Sequence, residues 1–187
     1  GKRTTTTLLL EQCRREGLRT EWIYTGQTGW LQGAKYGFLL DATPNDFVSG
    51  ELEGAVLECA RETNPDLILL EGQSALRNPS GPCGAELILS GGARGVVLQH
   101  APGRKNFEGM EGEAWKIPSL REEIELIGLL GAEVWAVTLN GEGLGPGAER
   151  VAKELADELG IPVVLPLDQG VGEVVAAFRA HIATDGR

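Results

Sequence analysis

Short apolar runs rich in β-branched residues alternate along the chain with stretches whose apolar positions recur three and four apart. That order is expected of βαβ units built around a parallel sheet. Five runs predict strands, at Thr20–Tyr24, Leu67–Leu70, 95–99, 134–139 and 162–165. The third and fourth are nearly continuous in apolar character, which predicts burial on both faces. A helix is expected over 4–16, bringing Leu8, Leu9 and Gln12 near one face and closed by Gly17. Asn45 or Asp46 is placed to cap a second helix that carries Leu52, Val56 and Ala60 and stops before Pro65. Ser119 and Glu122 spell a capping box ahead of Ile124 and Ile127. Pro146 and Gly147 open a helix in which Val151, Leu155 and Leu159 recur, ended by Gly160, and a last helix is expected over 170–181. The loops leaving the strands at Tyr24, Leu70, Gln99 and Leu139 then share the C-terminal edge of the sheet, where α/β folds bind ligands.

With 187 residues, the chain has the length of one globular domain and can bury about 70% of its unfolded surface without a disulfide or metal staple. Gly occupies 27 positions, roughly twice the usual share of about 7%. A formal charge of -10 argues against a nucleic-acid or anionic-membrane surface. No apolar run approaches the roughly 20 residues of a membrane span and no signal-peptide plan opens the chain, so a cytoplasmic protein is expected. Cys13, Cys59 and Cys83 form no C-x-x-C pair, and with only His100 and His181 a zinc site is not expected. Trp22, Trp30, Trp115 and Trp135 are too scattered for a base-stacking platform and are expected mostly in the core or in pocket walls.

Gly1-Lys2-Arg3-Thr4-Thr5 at the start of a helix matches the second half of a P-loop, in which backbone N–H groups hold phosphate and the lysine neutralises it; a solvated basic helix start is the competing account. Arg3 stands where a Mg²⁺-binding hydroxyl is usual, which passes that role to Thr4 or Thr5. There is no initiator Met and no strand leading into this helix, so the chain is expected to be a fragment or a processed product lacking its first strand and the first half of the P-loop. Glu71, directly after the second predicted strand in L-L-E-G-Q, is placed as a Walker-B carboxylate for Mg²⁺, or as a plain strand-end acid. Gly26-Gln27-Thr28-Gly29 reads as a ligand-facing loop or a polar turn, and Asp41 or Asp46 as a second metal- or water-binding carboxylate, with capping favoured for Asp46. His100 is the best acid–base candidate, beside Arg104, which suits a carboxylate or phosphate. Asn140 can hydrogen-bond a base edge or tolerate a left-handed turn before Gly141. The loop 141–147 lacks the G-x-G-x-x-G order of a dinucleotide site.

Taken together, G-K-R-T-T, T-G-Q-T-G-W, D-A-T-P-N-D-F, L-L-E-G-Q-S-A-L and V-L-Q-H-A-P-G-R, in this order over nearly the whole chain, resemble the P-loop family that includes D-glutamate N-acetyltransferase. The resemblance implies a P-loop NTPase-like, three-layer α/β/α fold related to dethiobiotin synthetase, preceded in the family by a Rossmann-like domain not found in these residues. It also implies a fuller P-loop of the form G-T-D-x-x-x-G-K-R-T-T, whose leading residues are absent.

On that resemblance the expected function is acetyl transfer from acetyl-CoA to the amino group of D-glutamate or a similar acidic amino acid. Gly1, Lys2, Arg3, Thr4, Thr5 and Asn140 would bind the cofactor, acetyl-CoA or ATP. Gly26, Gln27, Thr28, Gln73 and Arg104 would bind the substrate, while His100, Arg104 and Glu71 carry the chemistry. Thr4, Glu71 and Asp41 are the candidate ligands for Mg²⁺. Two alternatives stand beside it: an ATP-dependent ligase or kinase-like enzyme, and a nucleotide-sensing module that switches through residues 26–46. A homo-oligomer is expected, with neither nucleic acid nor membrane as partner.

Overall fold

The computed structural model describes residues 1–81 and 83–185. Its elements alternate as α1 (Lys2–Arg15), β1 (Thr20–Tyr24), α2 (Gln27–Leu31), β2 (Tyr36–Gly37), α3 (Asn45–Thr63), β3 (Leu67–Leu70), α4 (Gly84–Leu89), β4 (Gly95–His100), α5 (Leu120–Leu129), β5 (Glu133–Leu139), α6 (Ala148–Leu159), β6 (Val163–Val164) and α7 (Gly172–Asp185). The strands form two three-stranded sheets, ordered β2-β1-β3 and β4-β5-β6, and every pairing between them is parallel. The α/β class expected from the alternation is therefore correct. The chain divides into two compact units at Arg94 and Gly95, each containing one of the sheets.

In the N-terminal unit, β1 is the central strand, with Ile23 opposite both Tyr36 and Leu70. Its core gathers Ile23, Tyr36, Phe38, Val48, Leu52 and Cys59. α1 buries Thr5, Thr6, Leu9 and Cys13, so that of the expected Leu8, Leu9 and Gln12 only Leu9 is buried. Gln12 instead hydrogen-bonds Glu16 at 2.7 Å. Spacing fixes the width of a helical stripe but not which edge of it meets the sheet. Likewise α3 buries Val48, Leu52, Ala55 and Cys59, leaving Val56 and Ala60 half-buried. Gly17 closes α1 at φ +82° as expected, while α3 ends at a left-handed Asn64 just before Pro65.

Two local expectations fail here. Neither Asn45 nor Asp46 caps α3: Pro44 occupies the N-cap position without a side-chain hydrogen bond, and both residues lie inside the first turn. The chain enters through proline, whose fixed φ prepares the turn without a capping oxygen. The segment 26–29 is not a plain loop, because Gly26 in extended backbone leads directly into α2. A helix of five residues is too short for periodicity to reveal.

In the C-terminal unit, β5 lies between β4 and β6 and buries Val134, Ala136, Val137, Thr138 and Leu139. β4, with one strand neighbour in its sheet, is half-buried along its length rather than enclosed on both faces. The Ser119–Glu122 capping box forms as expected, each partner's side chain accepting from the other's backbone N–H. Trp135 stacks on His181, with ring centroids 4.3 Å apart, and meets Phe178 edge-on at 6.1 Å. Trp22 is buried, but Trp30 and Trp115 are exposed, against the expectation for most tryptophans. All three cysteines are free thiols. No helix among the described residues is long and apolar enough to cross a membrane.

Candidate functional site

The sequence candidates fall on both units. In the N-terminal unit, the start of α1 and the C-terminal ends of β1 and β3 bring most of them together. Lys2 begins α1, and its aliphatic stem runs past Gly72, where an added Cβ would meet Lys2 Cδ at 3.1 Å. Glu71 follows β3 directly and continues its pairing, its N–H donating to the Ile23 carbonyl at 3.0 Å. The fully buried Thr25 ties the two strand ends together: its hydroxyl donates to the Glu71 carbonyl at 2.9 Å, and its own carbonyl accepts from Gln73 Nε2 at 3.0 Å. Gln73 thereby lies over Gly26, whose missing side chain leaves the space it occupies.

Glu71 is only 8% exposed, and neither its Oε2 nor the buried indole N–H of Trp22 makes a well-formed hydrogen bond among the described residues, although the indole lies close enough to the carboxyl to favour its charged form. Both side chains close on Gly29, where an added Cβ would lie 3.2 Å from Trp22 Cζ2 and 3.3 Å from Glu71 Oε2. Burial raises the Glu71 carboxyl above its ordinary pKa, against the opposing pull of Arg3, the Trp22 indole and Lys2. A buried carboxyl whose oxygen has only the Trp22 indole as a poorly aligned donor, near the charges of Lys2 and Arg3, leaves room for a better partner, since buried polar atoms are normally satisfied. The set suits an anionic group held by backbone N–H groups and Lys2, with a further donor or cation at Glu71.

The other N-terminal candidates spread around this cluster. Thr4 is exposed and Thr5 is buried, while the hydroxyls of Thr6 and Thr7 bond back to the Lys2 and Arg3 carbonyls at 3.0 and 3.1 Å. Gln27 and Thr28 are exposed in the first turn of α2. Asp41 is exposed in a 3₁₀ turn, Leu40–Ala42. Among the described residues, no group of three or more His, Cys, Asp or Glu side chains converges as a metal cage. Gly1 is exposed ahead of α1.

In the C-terminal unit, Arg104 and Asn140 meet on Glu142 beyond the ends of β4 and β5, and His100 joins them through its backbone carbonyl. Gln99 and Thr138 lock these ends, Gln99 Nε2 donating to the Thr138 carbonyl and Thr138 Oγ1 to Gln99 Oε1, both at 3.1 Å. The Asn140 N–H donates to the His100 carbonyl at 2.8 Å. Burial pushes His100 below its ordinary pKa, with Glu123 opposing. Arg104 pairs with Glu142 at 3.2 Å and Glu108 at 3.5 Å. Asn140 supports Glu142 from both sides, its Nδ2 donating to Oε2 at 3.3 Å and its Oδ1 accepting the Glu142 N–H at 3.0 Å.

Sequence reasoning passed over Thr25 and Glu142, and placed Trp22 only among the tryptophans expected in the core or in pocket walls. Thr25 sits in T-G-Q-T-G and carries the only faint signal, a hydroxyl at a strand end. Trp22 and Glu142 have none, because their roles depend on partners far along the chain or in another loop.

The chain is 29% identical over 190 residues to a protein named D-glutamate N-acetyltransferase from Tritonibacter scottomollicae, covering 96% of this chain and 55% of that protein. A protein of the same name from Pseudoalteromonas sp. is 29% identical over 186 residues, covering 94% and 54%. The chain thus spans about half the length of the curated relatives it matches. A crystal structure of a DUF1611 family protein from Anabaena variabilis superposes with a TM-score of 0.87 at 26% identity, over 96% of this chain and 54% of that one. Residues 1–175 match the model described as a domain of unknown function, the DUF1611_C P-loop domain, and by that match the chain belongs to the DUF1611 P-loop family.

Proposed function

We propose that the chain is the P-loop part of an acyltransferase that moves the acetyl group of acetyl-CoA to the amino group of D-glutamate or a similar acidic amino acid. The observation that carries this reading is Lys2 at the first turn of α1, close enough to the buried Glu71 carboxyl to act on it electrostatically. A cation at a helix N-terminus supports a phosphate-bearing ligand, and the relatives' shared name supports the amino-acid half. The N–H groups at the start of α1, with Lys2, Arg3 and Thr4, hold phosphate. Bound acetyl-CoA supplies the acetyl group as a reactive thioester. Attack on it requires a neutral amine, so a proton must leave the substrate ammonium. His100, kept neutral near pH 7 by burial, accepts that proton on an imidazole nitrogen. Arg104 pairs with the substrate carboxylate, for which its guanidinium offers two parallel donors.

Release of free thiol from acetyl-CoA, measured with D-glutamate, L-glutamate and neutral amino acids, tests the reading in the intact protein. Turnover confined to acidic amino acids and lost in Lys2→Ala supports it; absence of both turnover and acetyl-CoA binding overturns it.

The Oε2 of Glu71, without a well-formed hydrogen bond, favours a second reading, in which ATP activates a carboxylate and Glu71 with Thr4 and Asp41 holds Mg²⁺. Binding of Mg·ATP that disappears in Glu71→Gln, with no binding of acetyl-CoA, would establish that alternative.

A further inference from the structure

The loops after β4 and β5 are locked against each other through their backbones. A Cβ at Gly103 would fall on the carbonyl oxygen of Glu142, and Gly103 also approaches Gly143. This contact brings the Glu142 carboxylate onto the Arg104 guanidinium, at 3.2 Å, while Asn140 holds the same carboxylate oxygen and the Glu142 N–H. Arg104 is therefore occupied by an internal carboxylate that is itself oriented by a neighbouring amide. The pair is open to water: the side chains are 43% exposed for Arg104 and 70% for Glu142. An exposed pair of this kind contributes little to stability, so the carboxylate can be displaced at small cost.

We propose that Glu142 is a built-in competitor for the substrate carboxylate, occupying Arg104 until an acidic amino acid replaces it and thereby setting the affinity and charge selectivity of the site. This rests on the assignment of Arg104 to the side-chain carboxylate of the substrate, rather than to the α-carboxylate that every amino acid carries. Replacement exchanges one charge-assisted pair for another, whereas an amino acid with a neutral side chain has no side-chain carboxylate to take the place of Glu142 on Arg104. The Glu142 side chain is released to water, where its high exposure already places most of it, and Glu108 remains as a weaker second contact at 3.5 Å.

The test is calorimetric titration of the intact protein with D-glutamate and, as a neutral control, D-glutamine, for wild type, Glu142→Gln, Arg104→Ala and the double variant. Glu142→Gln keeps the backbone contact with Asn140 and removes the competing charge. We expect it to bind D-glutamate about two- to fivefold more tightly, the range an exposed ion pair allows. The gain should shrink at high salt, D-glutamine should be unaffected, and the gain should vanish in the double variant. Loss of D-glutamate binding in Arg104→Ala, with Glu142→Gln equal to or weaker than wild type, overturns the competitor role and leaves the assignment of Arg104 standing. Wild-type affinity in Arg104→Ala, or no D-glutamate binding in any variant, overturns the assignment of Arg104 and the proposal with it.

Discussion

The Thr25 hydroxyl donates a 2.9 Å hydrogen bond to the main-chain carbonyl of Glu71, 46 residues away, inside the N-terminal unit. This bond sets where β3 gives way to the site. It fixes the backbone of Glu71 while leaving its carboxyl Oε2 without a well-formed hydrogen bond beside Trp22. Gln73 then returns to the Thr25 carbonyl, so one residue orients two site positions.

Thr25→Val keeps the shape of the side chain and removes the donor. The Glu71 carbonyl then loses its buried partner, at a cost of about 1–3 kcal/mol. Urea denaturation should show this loss, with Thr25→Ser close to wild type. A fall in ligand affinity in the valine variant would follow from the displaced strand end.

Lys2→Ala removes a cation at the first turn of α1 and should weaken binding of phosphate-bearing ligands about 10-fold or more, the scale of a charge-assisted hydrogen bond. Titration with CoA and with ATP separates the two ligand classes. The fold should persist, because the buried residues of α1 are Thr5, Thr6, Leu9 and Cys13.

Glu71 makes a prediction about pH. Burial raises its carboxyl pKa in the folded protein, so the stability linked to it is present below the unfolded carboxylate value and is lost as pH rises through the folded value. Glu71→Gln should therefore match wild type near pH 4 and become the more stable protein toward pH 8. Urea midpoints for both proteins across that range check the sign. A glutamine less stable than wild type at pH 8 would mean that the charged form is favoured by the fold.

His100 carries the opposite sign for a base. Its lowered pKa keeps the imidazole neutral in the fold, so the linked stability is present above the ordinary histidine value and is lost as pH falls toward the folded value. Because Glu123 opposes the shift, Glu123→Gln should move the His100 midpoint further down. NMR titration of the imidazole carbons reads this directly.

Gly103→Ala should separate the loops after β4 and β5, since its Cβ would fall on the Glu142 carbonyl oxygen. Overpacking of this kind costs about 1–3 kcal/mol. A lowered thermal midpoint together with weakened Arg104–Glu142 pairing is the expected result, and an unchanged midpoint would mean that the loops move apart freely.

The alternation of strands and helices, the parallel α/β class, the Ser119–Glu122 capping box, the stops at Gly17 and Gly160, and the family are all legible in the chain, because each is written in short-range spacing or in contiguous motifs. So are Lys2 at a helix start and Glu71 at a strand end. Packing settled which edge of α1 is buried, that 27–31 is a helix, that Pro44 rather than Asn45 or Asp46 precedes α3, and that Arg104 pairs with Glu142. These depend on contacts between residues distant in the chain, or on turns too short to have a period. The energy of such contacts comes from burial and from partners that no local pattern records.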